Sequence, residues 1–328
     1  FIASFTDEAQ DANDVKGSKA YSYYLGSMSS SNNMMNTNLY KDLYEGIYHC
    51  NVFIENVDKV PVFTIPAYRS RWKGEAYLLR AYYAWELIKH YGPLPIIRTS
   101  NTEDYDYSKV ERPSFYQCVK DIIADCDMAL SEPELLWRVE NGTENGSMTR
   151  GIAYAIKSQA ILYAASPLFN PTDNRELWYR AAKANKEILD DSNGFAEKAK
   201  LLVEDYSSLW SKDNYNDATN ELIFLRRATT TTNSFEGYNF PVGLENCKGG
   251  NCPTQTLVDA YEMKDSGLRP DELDNYDPTN PYYTNRDPRF YLTIAKNGDE
   301  KWPNWNTVPL QTYQGGLNAE PLSGGTPT

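Results

Sequence analysis

Apolar residues recur at helical spacing through much of the first two thirds of the chain. The first stripe, with steps of three or four positions, consists of Leu43, Ile47, Cys50, Ile54 and Val57. This periodicity predicts an amphipathic helix with one buried face. Before residue 36 the sequence is polar and rich in Ser, Asn and Asp, which predicts a loop region with little regular structure.

Further helices are predicted over residues 66–91, from 114 onwards, over 149–166 and over 176–189. Gly92-Pro93 ends the first of them, because glycine accepts a left-handed cap and proline cannot continue the hydrogen-bond ladder. Ser114 followed by Gln117 is typical of a capping box. The motif Gly-x-Ala-Tyr at 74–77 recurs at 151–154, an offset of 77 residues that two tetratricopeptide-sized hairpins would fill. The recurrence indicates a helical repeat, unless it arises by chance in a helix-rich chain.

The character of the sequence changes beyond Leu209. Residues 221–225 predict a short buried strand, and the chain after them is rich in Gly, Pro, Asn, Asp and Thr, with one short helical stretch near 257–263. Loops held by a rigid frame commonly carry binding surfaces. We therefore predict a mainly α fold made of an N-terminal loop region at 1–37, a tetratricopeptide-like helical hairpin scaffold at 38–227 and a loop-rich, mostly irregular ligand-binding lobe at 228–328.

Composition excludes some classes of partner. The 328 residues include 32 basic and 45 acidic side chains, and the net charge of −13 disfavours nucleic acid and anionic lipid surfaces. No apolar run is long enough to span a bilayer. Cys50, Cys118 and Cys126 fall on predicted helices and are expected to be buried, whereas Cys247 and Cys252 could close a small disulfide.

Catalytic motifs are absent from the sequence. It contains no nucleophile elbow, zinc-protease helix, phosphate-binding loop or Cys-x-x-Cys pair, and its only histidines are His49 and His90. Carboxylate pairs for sugar hydrolysis give no usable signal, because 45 acidic residues offer many pairs. We expect a binding protein that is not an enzyme and uses no cofactor and no metal.

An ordered series of motifs points to a family. The segment from Gly74 to Pro95 joins an acidic, aromatic helix to a Tyr-Gly-Pro-Leu-Pro turn. Further motifs follow in order at 112–114, 150–153, 220–224, 253–255, 257–265 and 286–290. Over roughly residues 38–318 the chain resembles the SusD/RagB family of nutrient-binding outer-membrane lipoproteins of Bacteroidota.

The resemblance implies a surface protein whose helices pack against a SusC-like TonB-dependent transporter and whose lobe holds a glycan or, in some relatives, a peptide. Family members bind and deliver their ligand without cleaving it. They also carry an N-terminal lipidated Cys and continue past the region of Gly316 into further helices. Neither feature is present, so we expect this chain to be an internal portion of a longer protein, attached to the membrane only through a lipid outside it.

Aromatic side chains in polar loops are the candidate ligand contacts, because an aromatic face covers the C–H face of a sugar while polar groups satisfy its hydroxyls. The candidates are Trp302, Trp305, Tyr282, Tyr283, Asn285 and Arg286, with Tyr21, Tyr23 and Tyr24 as an opposing wall. The alternative is that these aromatics only pack the lobe. Glu75 and Arg80 lie inside the signature helix and predict a buried pair or hydrogen-bonded group.

The sequence is therefore compatible with three functions. The first is glycan capture for import, favoured by the resemblance and the loop aromatics. The second is peptide capture by the same architecture, which would use a groove rich in charges and backbone donors. The third is a helical glycoside hydrolase, which requires two carboxylates facing each other across a cleft.

Overall fold

A computed structural model describes the chain over 2–12, 19–27, 29, 38–61, 65–139, 146–189, 206–209, 222–224, 234–243, 247–299 and 309–319. The chain divides into two compact units. The helical scaffold is Asn36–Arg227, and the lobe joins Phe1–Met35 to Ala228–Thr328.

Helices dominate the described residues. The α-helices are α1 (Lys19–Tyr24), α2 (Leu39–Asn56), α3 (Ala67–Tyr91), α4 (Phe115–Ser131), α5 (Arg150–Ala165), α6 (Arg175–Leu189), α7 (Ser234–Asn239), α8 (Gln255–Ala260) and α9 (Pro288–Thr293). Short 3-10 turns lie at Ile2–Phe5, Val57–Lys59, Tyr107–Lys109, Tyr206–Leu209 and Pro270–Glu272. Two strands, β1 (Ala9–Asp11) and β2 (Asn251–Pro253), pair antiparallel. None of the described helices is long and apolar enough to cross a membrane.

In the scaffold, each helix from α2 to α6 packs against the next along the chain. The central helix α3 contacts α2, α4 and α5, so its buried residues occupy more than one face. Leu78, Trp85 and Ile88 of α3 are almost fully buried and join Val119 and Ile122 of α4 in one core. The scaffold is therefore stabilised chiefly by apolar burial between successive helices.

The predicted helix ends agree with the structure. Gly92, at a φ of 73°, caps α3, and its amide donates to the carbonyl of Ile88. The hydroxyl of Ser114 accepts from the backbone amide of Gln117 at 3.1 Å at the start of α4, which forms one half of the predicted capping box. The other half is not formed, because the side chain of Gln117 donates to Asp121 at 3.3 Å instead. One glycine also allows close helix packing: a Cβ at Gly46 would lie 2.7 Å from the ring of Tyr83, so α2 and α3 approach closely there.

The two copies of the repeated motif lie on α3 and α5. Gly74 and Gly151 are both buried, and a Cβ at Gly74 would lie 3.3 Å from side-chain carbons of Glu132 and Leu135. The small residues of α5 are also buried, including Ala153, Ala160, Ala164 and Ala165. Small side chains at these positions let α4 and α6 pack against α5.

A buried polar cluster links the scaffold helices. Arg80 of α3 donates to both carboxylate oxygens of Asp125 on α4, at 2.9 and 2.6 Å, and to the amide oxygen of Asn51 on α2 at 2.8 Å. Arg80 is buried as predicted, but Glu75 is not its partner. Glu75 pairs at 2.9 Å with Arg71, one helical turn away, because side chains four positions apart share a helix face.

The N-terminal segment contains more regular structure than its polar composition predicts. Its strand β1 pairs with β2, with Ala9 opposite Pro253 and Asp11 opposite Asn251. The hydroxyl of Ser4 also donates to the side chain of Asn251 at 2.7 Å. The two strands are far apart in the sequence, so local pattern could not reveal their pairing.

The predicted strand at 221–225 is not present at its described positions. Leu222, Ile223 and Phe224 lie outside regular secondary structure. Ile223 packs against the scaffold core, and the ring of Phe224 meets that of Tyr82 edge-on at 5.6 Å. The described part of the apolar run thus packs against helices while only partly buried, and Phe224 stays exposed. A short apolar run does not by itself distinguish this arrangement from a strand.

All five cysteines are free, including Cys247 and Cys252, which do not form the disulfide considered above. Cys50, Cys118 and Cys126 are buried as predicted. Burial raises the pKa of the Cys50 thiol to about 11 and also raises that of Cys118 and Cys126. The reactive thiolate is therefore scarce at these positions near pH 8.

We expect these three thiols to react slowly with a disulfide reagent at pH 8 and rapidly once the chain is unfolded in guanidinium. The measurement is absorbance after addition of the reagent, with and without denaturant. A Cys252→Ser variant serves as the control, since Cys252 is only partly buried and should account for part of any fast native reaction. Fast modification of all five thiols in the native protein would contradict the described packing.

Candidate functional site

Four of the predicted site residues lie on one closed loop of the lobe, between α8 and α9. Its ends are tied together by a β-bridge between Met263 and Arg286 and by the amide of Asp287, which donates to the carbonyl of Glu262 at 2.9 Å. The amide of Lys264 donates to the carbonyl of Asn285 at 2.8 Å. The loop therefore presents its side chains from a fixed base.

Arg286 stabilises this loop from inside. Its side chain is 1% exposed, and its guanidinium donates to the carbonyls of Val258, of Tyr261 at 2.7 Å and of Tyr282 at 3.1 Å. It also lies 5.0 Å from the ring centre of Phe290. Burial lowers the pKa of this guanidinium.

The prediction that Arg286 contacts ligand is therefore corrected. An arginine in a polar loop sequence resembles a solvated ligand-binding group, yet the Nη1 and Nη2 groups of Arg286 donate to backbone carbonyls. Its Nε is buried with no partner among the described residues, and its side chain is inaccessible.

Tyr282 and Asn285 both adopt left-handed backbone conformations, with φ of 48° and 56°. Asn tolerates this region, whereas Tyr adopts it at a cost of about 1–3 kcal/mol. Local contacts hold Tyr282 in place: its hydroxyl accepts from the amide of Asp277 at 2.7 Å, and its ring stacks on Tyr276 at 5.8 Å. The side chain of Asn285 donates to Asp265 at 2.8 Å.

Exposed tyrosine rings belong to this loop and to the helix α9 that follows it. Tyr283 stacks on Phe290 at 6.3 Å, and the Lys296 ammonium lies 5.9 Å from the ring centre of Tyr283 and 6.0 Å from that of Tyr291. Tyr276, Tyr283 and Tyr291 are each exposed over more than a third of their surface. We call Tyr276, Tyr282, Tyr283 and Tyr291 the lobe tyrosine surface.

The sequence pattern singled out two members of this surface, Tyr282 and Tyr283, and not Tyr276 and Tyr291; contact of any of them with ligand stays a prediction. Tyr276 stands between Asn275 and Asp277, in the same kind of polar context that marked Tyr282, so a signal for it existed. Tyr291 follows the buried Phe290 in α9 and is indistinguishable from a packing residue without the structure.

The predicted opposing wall is described only in part. Tyr23 of α1 packs its ring 5.0 Å from that of Phe5, and Tyr24 is exposed. The side chain of Tyr21 and both indoles, Trp302 and Trp305, lie outside the described residues. Their role in ligand contact stays a prediction.

Over the described part of the chain, no group of three or more His, Cys, Asp or Glu side chains is placed to hold a metal ion. The chemistry of the lobe surface is that of aromatic faces with hydroxyl, amide and ammonium groups at their edges, which suits binding of a polar organic ligand.

Comparison with known proteins decides the family. Residues 3–162 match a SusD-like family described as starch-binding and associating with the outer membrane, and residues 210–324 match the SusD/RagB family. The chain belongs to the SusD/RagB family. Its mainly helical, tetratricopeptide-like scaffold with a loop-rich lobe is the architecture of solved SusD-like proteins, as the sequence predicted. No curated protein matches the chain by sequence.

Solved structures resemble this SusD/RagB family protein throughout most of its length. A SusD-like protein from Bacteroides fragilis superposes with a TM-score of 0.72 at 24% identity, covering 94% of this chain and 59% of its own. A SusD-like carbohydrate binding protein from the same organism gives 0.65 at 19%, covering 93% and 56%. Surface glycan-binding protein A from Bacteroides fluxus gives 0.58 at 19%, covering 80% and 55%. The chain thus spans less than two thirds of each of these proteins.

Proposed function

We propose that this SusD/RagB family protein captures a glycan at the cell surface and passes it, uncleaved, to a SusC-like TonB-dependent transporter. The observation that carries the proposal is the match of residues 3–162 to a family described as starch-binding and associating with the outer membrane. Two proteins of the same fold are described as carbohydrate binding and surface glycan-binding, which supports the same ligand class.

The lobe tyrosine surface supports glycan binding on chemical grounds. A sugar ring offers apolar C–H faces and a rim of hydroxyls, so it needs flat apolar surfaces beside polar groups. Tyr283 and Tyr291 are exposed rings that both lie close to the Lys296 ammonium, which also pairs with Asp299. We propose that Trp302 and Trp305 extend this surface, and that a lipid at the N-terminus of the complete protein anchors it to the outer membrane.

The test is native electrophoresis in gels that contain starch, xylan, inulin or another neutral polysaccharide. The protein should be retarded selectively by one class, and Trp302→Ala, Trp305→Ala and Tyr283→Ala should each weaken retardation by about tenfold through loss of an apolar face. Tyr179→Ala is the control, because Tyr179 is more exposed than Tyr283 but lies on α6 of the scaffold and is not one of the proposed contacts.

Other results would contradict this assignment. Equal retardation of all variants would remove the lobe surface from the site. Binding of a casein digest with no polysaccharide retardation would favour the peptide-capturing alternative. Release of reducing sugar from a retarding polysaccharide would identify a hydrolase.

A further inference from the structure

A second surface with ligand-binding chemistry lies on the scaffold. A groove of about 830 Å³ runs between α2 and the segment 95–110. Tyr40, Tyr44 and Tyr48 line one side at four-residue spacing, because such residues share one face of a helix. Tyr107 lines the groove from the segment opposite. Its volume lies within the range of small-molecule sites, which are clefts of about 300–1,000 Å³.

The base of the groove is fixed to the scaffold core. The hydroxyl of Tyr44 donates to the carbonyl of Pro95 at 2.9 Å. The side-chain Nδ2 of Asn51 donates to the carbonyls of Ile97 and Thr99 at 2.9 and 3.1 Å, and its Oδ1 accepts from Arg80. The segment is therefore attached to α2 by hydrogen bonds that leave the groove open above them.

Neighbouring rings hold the exposed tyrosines in place. Tyr40 lies 4.9 Å from the ring of Tyr44 and meets Tyr91 edge-on at 5.3 Å. Tyr105 meets Tyr107 edge-on at 4.9 Å. Rings that are fixed before a ligand arrives lose little conformational entropy on binding.

The polar groups of the groove indicate an uncharged ligand. Lys41 and Glu45 contribute one charge of each sign, and Thr99 and Thr102 contribute hydroxyls. With a net charge of −13, the chain as a whole also disfavours polyanions.

An extended peptide fits this groove less well than a sugar does. Peptides that bind along a backbone segment need its free carbonyl and amide groups. Here the carbonyls of Pro95, Ile97 and Thr99 are already used by Tyr44 and Asn51. Flat aromatic faces with hydroxyls and one charge of each sign remain, which is the combination that covers the faces and satisfies the rim of a sugar.

We infer that this groove is a second glycan site, which binds a short stretch of a neutral polysaccharide on Tyr40, Tyr48 and Tyr107. The inference rests on the proposed glycan capture but concerns a different unit of the protein.

The test uses the neutral polysaccharide that retards the unmodified protein most strongly. Tyr48→Ala and Tyr107→Ala should each weaken binding by about three- to tenfold, through loss of an apolar face, and Tyr48→Phe should bind normally. Tyr179→Ala is again the control. Binding to the groove should be equal at about 0.05 and 0.5 M salt, because a neutral ligand is not screened. Thermal unfolding of each variant checks that the fold is kept.

Each outcome decides between the two sites. Weakening by the groove variants, whether or not Trp302→Ala also weakens binding, supports the groove. Normal binding by the groove variants alongside a weakened Trp302→Ala would overturn the groove and leave the proposed function intact. No binding of the unmodified protein to any neutral polysaccharide would overturn both. Strong loss of binding at high salt, or competition by a casein digest at the groove, would overturn the neutral glycan as its ligand.

Discussion

Arg80→Met should lower the free energy of unfolding by about 3–5 kcal/mol, the cost of leaving one partner of a buried ion pair alone. Asp125 is 1% exposed, and its carboxylate accepts two hydrogen bonds from Arg80. Asn51 would lose the donor to its side-chain oxygen as well. Arg98, whose guanidinium lies 3.2 Å from Asp125, remains and should hold the loss toward the lower end of this range.

The measurement is equilibrium unfolding in urea, followed by circular dichroism. Lys157→Met is the matched control: it removes an ion pair with Asp127, whose carboxylate is largely exposed, and should cost less than about 1 kcal/mol. The double variant Arg80→Met/Asp125→Leu should be less destabilised than the sum of its single variants, because each single variant leaves one buried charge of the pair alone and the double variant removes both charges. A loss below about 1 kcal/mol for Arg80→Met would show that the cluster contributes little to stability.

The buried cluster of Arg80, Asp125 and Asn51 shows which features of the scaffold can be predicted from sequence and which cannot. Helices α2 to α6 follow from local signals, since apolar spacing, a capping serine and a helix-ending glycine all act within a few residues. Local spacing also accounts for the pair between Arg71 and Glu75. The partner of Arg80 lies on the next helix, so identifying Asp125 requires knowledge of how α3 and α4 pack.

The same limit applies to the two surfaces that we propose as glycan sites. The four-residue spacing of Tyr40, Tyr44 and Tyr48 is visible in the sequence, beside the buried stripe of Leu43 and Ile47. Their opposite wall is not, because Tyr107 is brought there by the hydrogen bonds of Tyr44 and Asn51 to the segment after α3. In the lobe, polar sequence context suggested Tyr282, Tyr283 and Arg286 alike, and only the structure shows that Arg286 is buried whereas Tyr283 is exposed.

Arg286→Met should destabilise the lobe loop by about 3 kcal/mol or more, because it removes the donors to three backbone carbonyls in a buried place and each unsatisfied buried group costs about 1–3 kcal/mol. Hydrogen exchange should therefore speed up at the amides of Lys264, Asp287 and Phe290, which close the loop and begin α9. Amides of α3 should keep their protection, since they bond within their own helix.

Two further variants separate this structural role from ligand contact. Arg289→Met removes a neighbouring arginine that pairs with Asp287 at the protein surface, and it should change stability by about 0.5 kcal/mol or less. Arg286→Lys should not restore protection, because one ammonium cannot reach three carbonyls with the geometry of a guanidinium. If Arg286 instead contacted ligand, Arg286→Met would weaken glycan retardation while exchange at the loop amides stayed unchanged. The position of its guanidinium among the carbonyls of Val258, Tyr261 and Tyr282 argues for the first result.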